Sequence, residues 1–478
     1  MEPSIFRMRD RDILALCVLA LLCLGVVMVQ SASSVVDGPR DVVHVKGQPE
    51  TEQPFDYAIE GDVRHTQDGV EVIERSGRVH RFNNEDIVSI DHHADELWQW
   101  SKLAMKNVTY AGVAALTFFL VGRFDYRRLL RTNVPKWRNP AVLGLLVSGV
   151  MCAMVLVRIP GLTKEVNGAR RWILLGPIQV QPSELAKWAA VVFLAWLLAA
   201  RPFDLTKFFK GFIPTLAPIG MVCLLIVIND FGTAALIGLC ALTMLLAGRV
   251  KGWHLAVVIP PALLAAFVFV HSTPYRWTRM TAFMDPWKNP QGEGYHMVQS
   301  LLSFSTGGIF GRGLGNGVQK LGYLPEDTTD FIFAVICEEL GIFGALFTIV
   351  LYIGILYVAW QSVKDKRDDF GRLLAFGTGS MLGLQAAINM AVATVSVPTK
   401  GLSLPLVSAG GSGLVITCGA LGLLYSVSRF APENSIGTRS ERQDVPVDPL
   451  AIPAVASVGA ARPRMHRVTQ ALWSKFTV

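Results

Sequence analysis

Long apolar runs recur along this chain, separated by short polar stretches. Candidate spanning segments are 12–31, 105–122, 140–158, 183–200, 212–229, 231–248, 254–271, 331–360, 371–395 and 405–429. A helix of about 20 residues crosses ~30 Å of hydrocarbon at 1.5 Å rise per residue. The pattern therefore predicts an all-α polytopic membrane protein with ten transmembrane helices. The 331–360 run is longer than a bilayer requires and has to tilt or project. Arg7, Arg9 and Arg11 precede the first run, which is long and lacks a small-residue cleavage site. It reads as a retained helix rather than a signal peptide.

One segment, 36–100, breaks the apolar pattern. Acidic residues outnumber Lys and Arg there, and short alternating runs (70–73 and 78–82) are punctuated by Asp68-Gly69 and Ser76-Gly77. Alternation with such turn pairs predicts β-hairpins, hence a small β-rich extracytoplasmic insert between the first two spans. His92 and His93 with Asp91 and Asp95 are read as a solvated polar stretch in preference to a metal site.

Composition supports the membrane assignment. The chain has 478 residues, 51% hydrophobic and 17% charged, with a mean hydropathy of +0.41. A soluble domain carries about 25% charged residues. The net charge of +7 is modest and fits a basic cytoplasmic face better than a nucleic-acid surface. The seven cysteines lie in or beside apolar runs without metal-ligand spacing, so neither a disulfide framework nor a zinc site is expected.

The basic residues set an orientation. Arg123, Arg127, Arg128, Arg131, Lys136 and Arg138 fall in one loop. Arg201, Lys207 and Lys210 fall in the next alternate loop, followed by Arg249 and Lys251, then Lys364, Lys366, Arg367 and Arg372. With ten spans all of these lie on the N-terminal side. The positive-inside rule then places both termini of this multi-pass protein in the cytoplasm. The insert, the 159–182 loop, the 273–330 loop and the 396–404 turn face outward. The expected organisation is a 1–35 tail and first helix, the 36–100 insert, a 101–430 membrane core and a 431–478 disordered cytoplasmic tail.

Polar residues that interrupt the apolar rule are candidates for chemistry, because ionisable groups beside or within spans are costly. Arg170 and Arg171 are cations on the outer face, and arginine forks suit phosphate oxygens. Pro182-Ser183-Glu184 suits a helix start, and Glu184 shares a helix face with Lys187. Asp230 reads as a helix cap. The 285–339 stretch is the longest polar interruption of the core. It carries Asp285-Pro286 and Asn289-Pro290 turn signals, many glycines, and Lys320, Glu326, Asp327 and Asp330, with Arg276 just before it. Those glycines allow close approach to a ligand or simply tight turns. Glu338 and Glu339 sit inside an apolar helix, which a solvated face does not explain. Lys400 is a lone outward cation before the glycine-rich 408–412 segment, read as tight helix packing.

The motifs NGARRWI, QPSELAK, DFGT, the 292–341 stretch GEGYHMVQSL…GYLPEDTTDFIFAVICEELG, and PTKG with its following GGS resemble the SEDS proteins of bacterial cell-wall synthesis. These form the FtsW, RodA and SpoVE group, and residues 320–326 look more like the FtsW branch. The resemblance covers roughly 104–430. It implies a peptidoglycan glycosyltransferase that polymerises lipid II during cell division, by inverting transfer with release of undecaprenyl diphosphate. It implies a class B penicillin-binding transpeptidase and other divisome membrane proteins as partners, and no nucleic acid. Such chemistry needs a carboxylate for the hydroxyl proton and cations for the leaving diphosphate. A divalent metal, Mg or Mn, is compatible with it, although no cofactor is demanded.

On this resemblance Asp285 and Asn289 are the catalytic candidates, and Arg170, Arg171, Glu184, Lys187, Arg276, Lys320, Glu326, Asp330 and Lys400 the substrate-binding ones. Asn289 occupies the position of the family's essential aspartate, and an amide cannot act as general base. Asp285 is the nearby carboxylate that stands in. Two other readings stay open: an inactive scaffold of the divisome, and a flippase for the lipid-linked precursor.

Overall fold

Spanning helices form wherever the chain offers about 20 apolar residues free of charge. The computed structural model describes residues 9–33, 41–45, 57–65, 69–73, 79–83, 87–91, 102–129, 163–166, 169–175, 178–200, 204–318, 328–365, 368–399 and 401–430. The helices are α1 (Asp10–Ser33), α2 (Lys102–Arg123), α3 (Pro182–Ala200), α4 (Ile213–Val227), α5 (Phe231–Ala247), α6 (Gly252–His271), α7 (Pro274–Met284), α8 (Tyr295–Gly307), α9 (Ile332–Asp365), α10 (Asp369–Ala393) and α11 (Gly411–Arg429). Among the described residues eight helical segments are long and apolar enough to cross a membrane, and α5 is a shorter apolar helix. They correspond to nine of the ten expected spans; the 140–158 candidate lies outside the described residues, as does the 431–478 tail. The chain is a multi-pass helical membrane protein.

Three local departures from the expected spans have physical causes. The last span begins at Gly411, not 405, because Ser408 and the residues around it are committed elsewhere. Ser408 Oγ donates to the Thr329 carbonyl at 2.6 Å and accepts from the Leu404 amide at 2.8 Å. The loop after α6 is partly helical, holding α7 and α8. The long α9 is not one continuous rod: Gly341, at φ 65° and ψ −158°, breaks it.

Around that break the backbone groups find new partners, as they must in an apolar surround. The carbonyls of Glu338 and Glu339 accept from the Arg312 and Gly313 amides at 3.0 and 2.9 Å. The Ile342 amide donates to the carbonyls of Gly308 and Ile309. The glycine-rich segment after α8 therefore replaces the missing helical turn. Gly311 and Gly341 both have positive φ, and a Cβ on either would fall 2.2–2.4 Å from backbone atoms of the other segment.

The core is built by α11 against α2, α9 against α10 and α1, and α10 against α3. In contrast, α6 leaves Leu263, Leu264, Phe267 and Val268 more than half exposed, as a lipid-facing helix would. At one end of the bundle the Tyr126 amide donates to Ser426 Oγ, Ser426 Oγ donates to the Phe124 carbonyl, and Arg127 donates to the Phe430 carbonyl. Asp368, Arg372 and Arg429 join this end, so the basic loops cluster there. The opposite end carries the N-termini of α3, α9 and α11.

The insert holds β1 (Asp41–Val45), β2 (Tyr57–His65), β3 (Gly69–Ile73), β4 (Val79–Asn83) and β5 (Ile87–Asp91), an antiparallel sheet in the order β4-β3-β2-β1-β5. Val43, Val45, Val70 and Val72 form its small core. A second sheet, β6 (Thr163–Val166), β7 (Ala169–Leu175) and β8 (Ile178–Val180), precedes α3.

Candidate active site

A tight turn joins α7 to α8. Helix α7 ends at Met284 because Pro286 has no amide hydrogen and disfavours the helical region for Asp285, which adopts φ −145° and ψ 83°. Pro286 opens a single 3-10 turn, Pro286–Lys288, that stops at Asn289. The Asn289 carbonyl then accepts from both Gly292 and Gly294 amides at 3.2 Å, closing the chain back on itself. Gly294 is packed so closely that a Cβ there would lie 2.1 Å from the Pro286 carbonyl oxygen.

This closed turn places three polar side chains on one short, solvent-facing segment. Asp285, Asn289 and Glu293 are all exposed. The Asp285 carboxylate makes no capping bond to the turn it begins. The Asn289 amide Nδ2 donates to Glu293 Oε2 at 3.0 Å. Glu293 is the residue that sequence reading missed, since the glycines on either side of it drew attention to the backbone.

A second polar group lies buried at the same end of the bundle. Lys187 is fully buried, with Nζ 2.8 Å from Glu184 Oε2 and 2.6 Å from Gln385 Oε1. Gln385 Nε2 in turn donates to the Ser403 carbonyl at 2.9 Å. One turn along α10, Asn389 Nδ2 donates to the carbonyls of Asp330 and Leu402 at 2.8 and 2.7 Å. Ser300 of α8 donates to the Ala393 carbonyl at 2.6 Å, so the loop helix is seated on the end of α10. Gln385 and Asn389 were legible in principle: two amides four apart within an apolar span share a face and are rarely tolerated without partners.

The third group is the carboxylate pair. Glu338 and Glu339 are both fully buried. Glu338 Oε1 accepts from the Val318 amide at 2.8 Å, and Glu339 Oε2 accepts from the Gly315 amide at 3.3 Å. Ser31 at the end of α1 reaches Glu339 as well. These acids hold the glycine-rich loop against α9, which accounts for charged residues in an apolar helix.

Arg276 donates to the Ile228 carbonyl at 3.3 Å and stacks over Phe269 at 4.0 Å, so it secures α7 to neighbouring helices. Asp230 caps α5, accepting from the Thr233 amide at 3.0 Å and its hydroxyl at 2.7 Å. Arg170 and Arg171 belong to β7. Lys320, Glu326, Asp327, Lys400, His92, His93 and Asp95 lie outside the described residues. The structure thus joins Glu184 and Lys187 with Gln385, and Asn289 with Glu293; Asp285 belongs to the same turn as the latter pair. Among the described residues no group of three His, Cys, Asp or Glu side chains is placed to hold a metal ion.

Comparison with known proteins gives a consistent result. The family model FTSW_RODA_SPOVE, described as a cell cycle protein, matches residues 88–433. The probable peptidoglycan glycosyltransferase FtsW of Saccharophagus degradans is 38% identical over 317 residues, which span 66% of this chain and 81% of that protein. The probable peptidoglycan glycosyltransferase FtsW of Legionella pneumophila is 41% identical over 332 residues, spanning 67% of this chain and 82% of its own. Among solved structures, a chain from a peptidoglycan synthase complex that coordinates polymerization and crosslinking superposes with a TM-score of 0.55 at 29% identity. That superposition covers 68% of this chain and 89% of the other.

Proposed function

The chain belongs to the FtsW/RodA/SpoVE family of cell cycle proteins, and from that membership we infer that it is a peptidoglycan glycosyltransferase. It joins lipid II units into glycan strands at cell division. The hydroxyl of an acceptor sugar attacks the anomeric carbon of a donor, and undecaprenyl diphosphate leaves with inversion.

The observation that carries this reading is the turn 285–295, which presents Asp285 and Glu293 around Asn289 at the end of the bundle opposite the basic loops. With the basic end in the cytoplasm, the turn faces the outer side of the inner membrane, where a wall precursor is polymerised. Proton removal from the attacking hydroxyl falls to a carboxylate of this turn. Charge on the leaving diphosphate is offset by Arg170, Arg171, Arg276, Lys320 and Lys400. Lys187 holds Glu184 from below, and Glu326 and Asp330 contact the sugar or peptide. A crosslinking transpeptidase of the class B penicillin-binding type works alongside, as polymerization and crosslinking are paired in the solved relative. The β-rich insert docks a further envelope protein.

Asn289 favours a second reading, an inactive scaffold for the division complex, because the amide stands where the family has its aspartate. Proteoliposomes containing the chain and its transpeptidase, fed fluorescent lipid II, test both. Polymer growth supports the glycosyltransferase; recruitment of the transpeptidase without polymer supports the scaffold; lipid II crossing the bilayer without polymer supports a flippase.

A further inference from the structure

We propose that Glu293 is the proton acceptor of the transfer reaction, with Asn289 as the residue that orients it. The inference rests on the glycosyltransferase reading and refines it.

An alcohol that attacks an anomeric carbon must lose its proton as the new bond forms, and an inverting enzyme uses one carboxylate for this. Asn289 cannot be that group, since an amide is not basic near neutral pH. Its side chain is instead directed at a carboxylate: Nδ2 donates to Glu293 Oε2 at 3.0 Å. That bond engages one oxygen of Glu293 and leaves Oε1 without a partner among the described residues.

The backbone beneath Glu293 is held on both sides. The amides of its two neighbours, Gly292 and Gly294, both donate to the Asn289 carbonyl. Gly294 is also wedged against the Pro286 carbonyl, with no room for a Cβ. A base is most effective when its own position is fixed before substrate arrives. Glu293 meets that condition: its turn is closed by two backbone bonds, one carboxylate oxygen is oriented by an amide, and the residue is exposed. Asp285 sits on the same turn and is equally exposed, but its side chain makes no cap bond there.

In the reaction the acceptor hydroxyl oxygen forms its bond to the donor anomeric carbon. The bond from that carbon to the diphosphate oxygen breaks, and its electron pair departs on the diphosphate. The hydroxyl proton passes to Glu293 Oε1 and is released to solvent after the product moves on. No further reactant is needed.

The test uses the full chain, purified with its transpeptidase, and lipid II as the probe. Glu293→Gln keeps the side-chain shape and an acceptor for Asn289 while removing the base. It is expected to lower kcat by about 10²–10⁴-fold, with KM for lipid II changed by less than about threefold. The acidic limb of the kcat–pH profile is expected to disappear. The exchange variant Asn289→Asp with Glu293→Gln restores one carboxylate and one amide in reversed order, and is expected to recover at least about tenfold over Glu293→Gln alone. Wild-type turnover by Glu293→Gln would overturn the inference and leave the glycosyltransferase reading intact. A slow Glu293→Gln that the exchange fails to rescue would likewise overturn it, since a merely structural role would then suffice. Absence of polymer from the wild-type chain would overturn both.

Discussion

The hydroxyl of Ser31 lies 2.8 and 2.6 Å from the two carboxylate oxygens of Glu339, linking the end of the first helix to a buried acid more than three hundred residues later. Through Glu339 this contact also reaches the Gly315 amide, so α1, the broken α9 and the glycine-rich loop form one unit. A buried carboxylate that loses a donor bears the cost of its desolvation, about 1–3 kcal/mol. Ser31→Ala is therefore expected to lower the melting temperature in detergent and to open the 308–318 segment to protease, while Ser31→Thr retains both.

Gly341 offers a harsher probe of the same unit. Its φ of 65° is unfavourable for any residue with a Cβ, and that Cβ would sit 2.4 Å from the Ile309 carbonyl oxygen. Backbone strain alone costs about 1–3 kcal/mol. Gly341→Ala is expected to destabilise by more than this, and native gel migration with thermal unfolding measures it. A variant as stable as wild type would mean that the break in α9 is not a fixed feature.

The Lys187–Glu184 pair is buried enough for partner removal to be costly. Lys187 has no exposed side-chain surface and Glu184 only 13%. Removing one member of such a pair costs about 3–5 kcal/mol, whereas removing both costs much less. Lys187→Met should therefore unfold at markedly lower temperature than Lys187→Met combined with Glu184→Gln. Equal instability of the single and double variants would show that Gln385, and not Glu184, is the partner that matters.

At the basic end, the Tyr126 hydroxyl donates to Asp368 Oδ1 at 2.9 Å. Burial, together with Asp368, pushes the Tyr126 phenol up to about 12, against an opposing hydrogen bond to Arg127. An unfolded tyrosine ionises near 10. Between those values the folded chain holds a proton that the unfolded chain has lost, so stability falls as pH rises. Unfolding midpoints taken from about pH 9 to 12 should show this decline in the wild type and a shallower one in Tyr126→Phe.

Much of this architecture was legible because a bilayer imposes a long, nearly charge-free signature on each spanning helix. Nine of the ten expected spans fall on helices, and the Asp68-Gly69 pair correctly marked a strand boundary in the insert. Asn167-Gly168, the same kind of turn pair, separates β6 from β7, but the adjacent Arg170 and Arg171 point instead to phosphate recognition. The break at Gly341 was hidden, since an apolar run carries no record of where its backbone bonds go. Glu338 and Glu339 stood out as anomalous, but their partners Ser31, Gly315 and Val318 are remote or purely backbone. Asn289 was recognised as the wrong residue for a base; its neighbour Glu293 became visible only when the turn closed and brought their side chains together.

Asn289 stands where the resemblance places the family aspartate, so polymerisation of lipid II by the wild-type chain is the decisive point. The most direct measurement is the length distribution of glycan formed from labelled lipid II by the purified wild-type chain with its transpeptidase, beside Asn289→Asp. Polymer is expected from the wild type, with release of undecaprenyl diphosphate in step with strand growth. Polymer from Asn289→Asp alone, with none from the wild type, would contradict it.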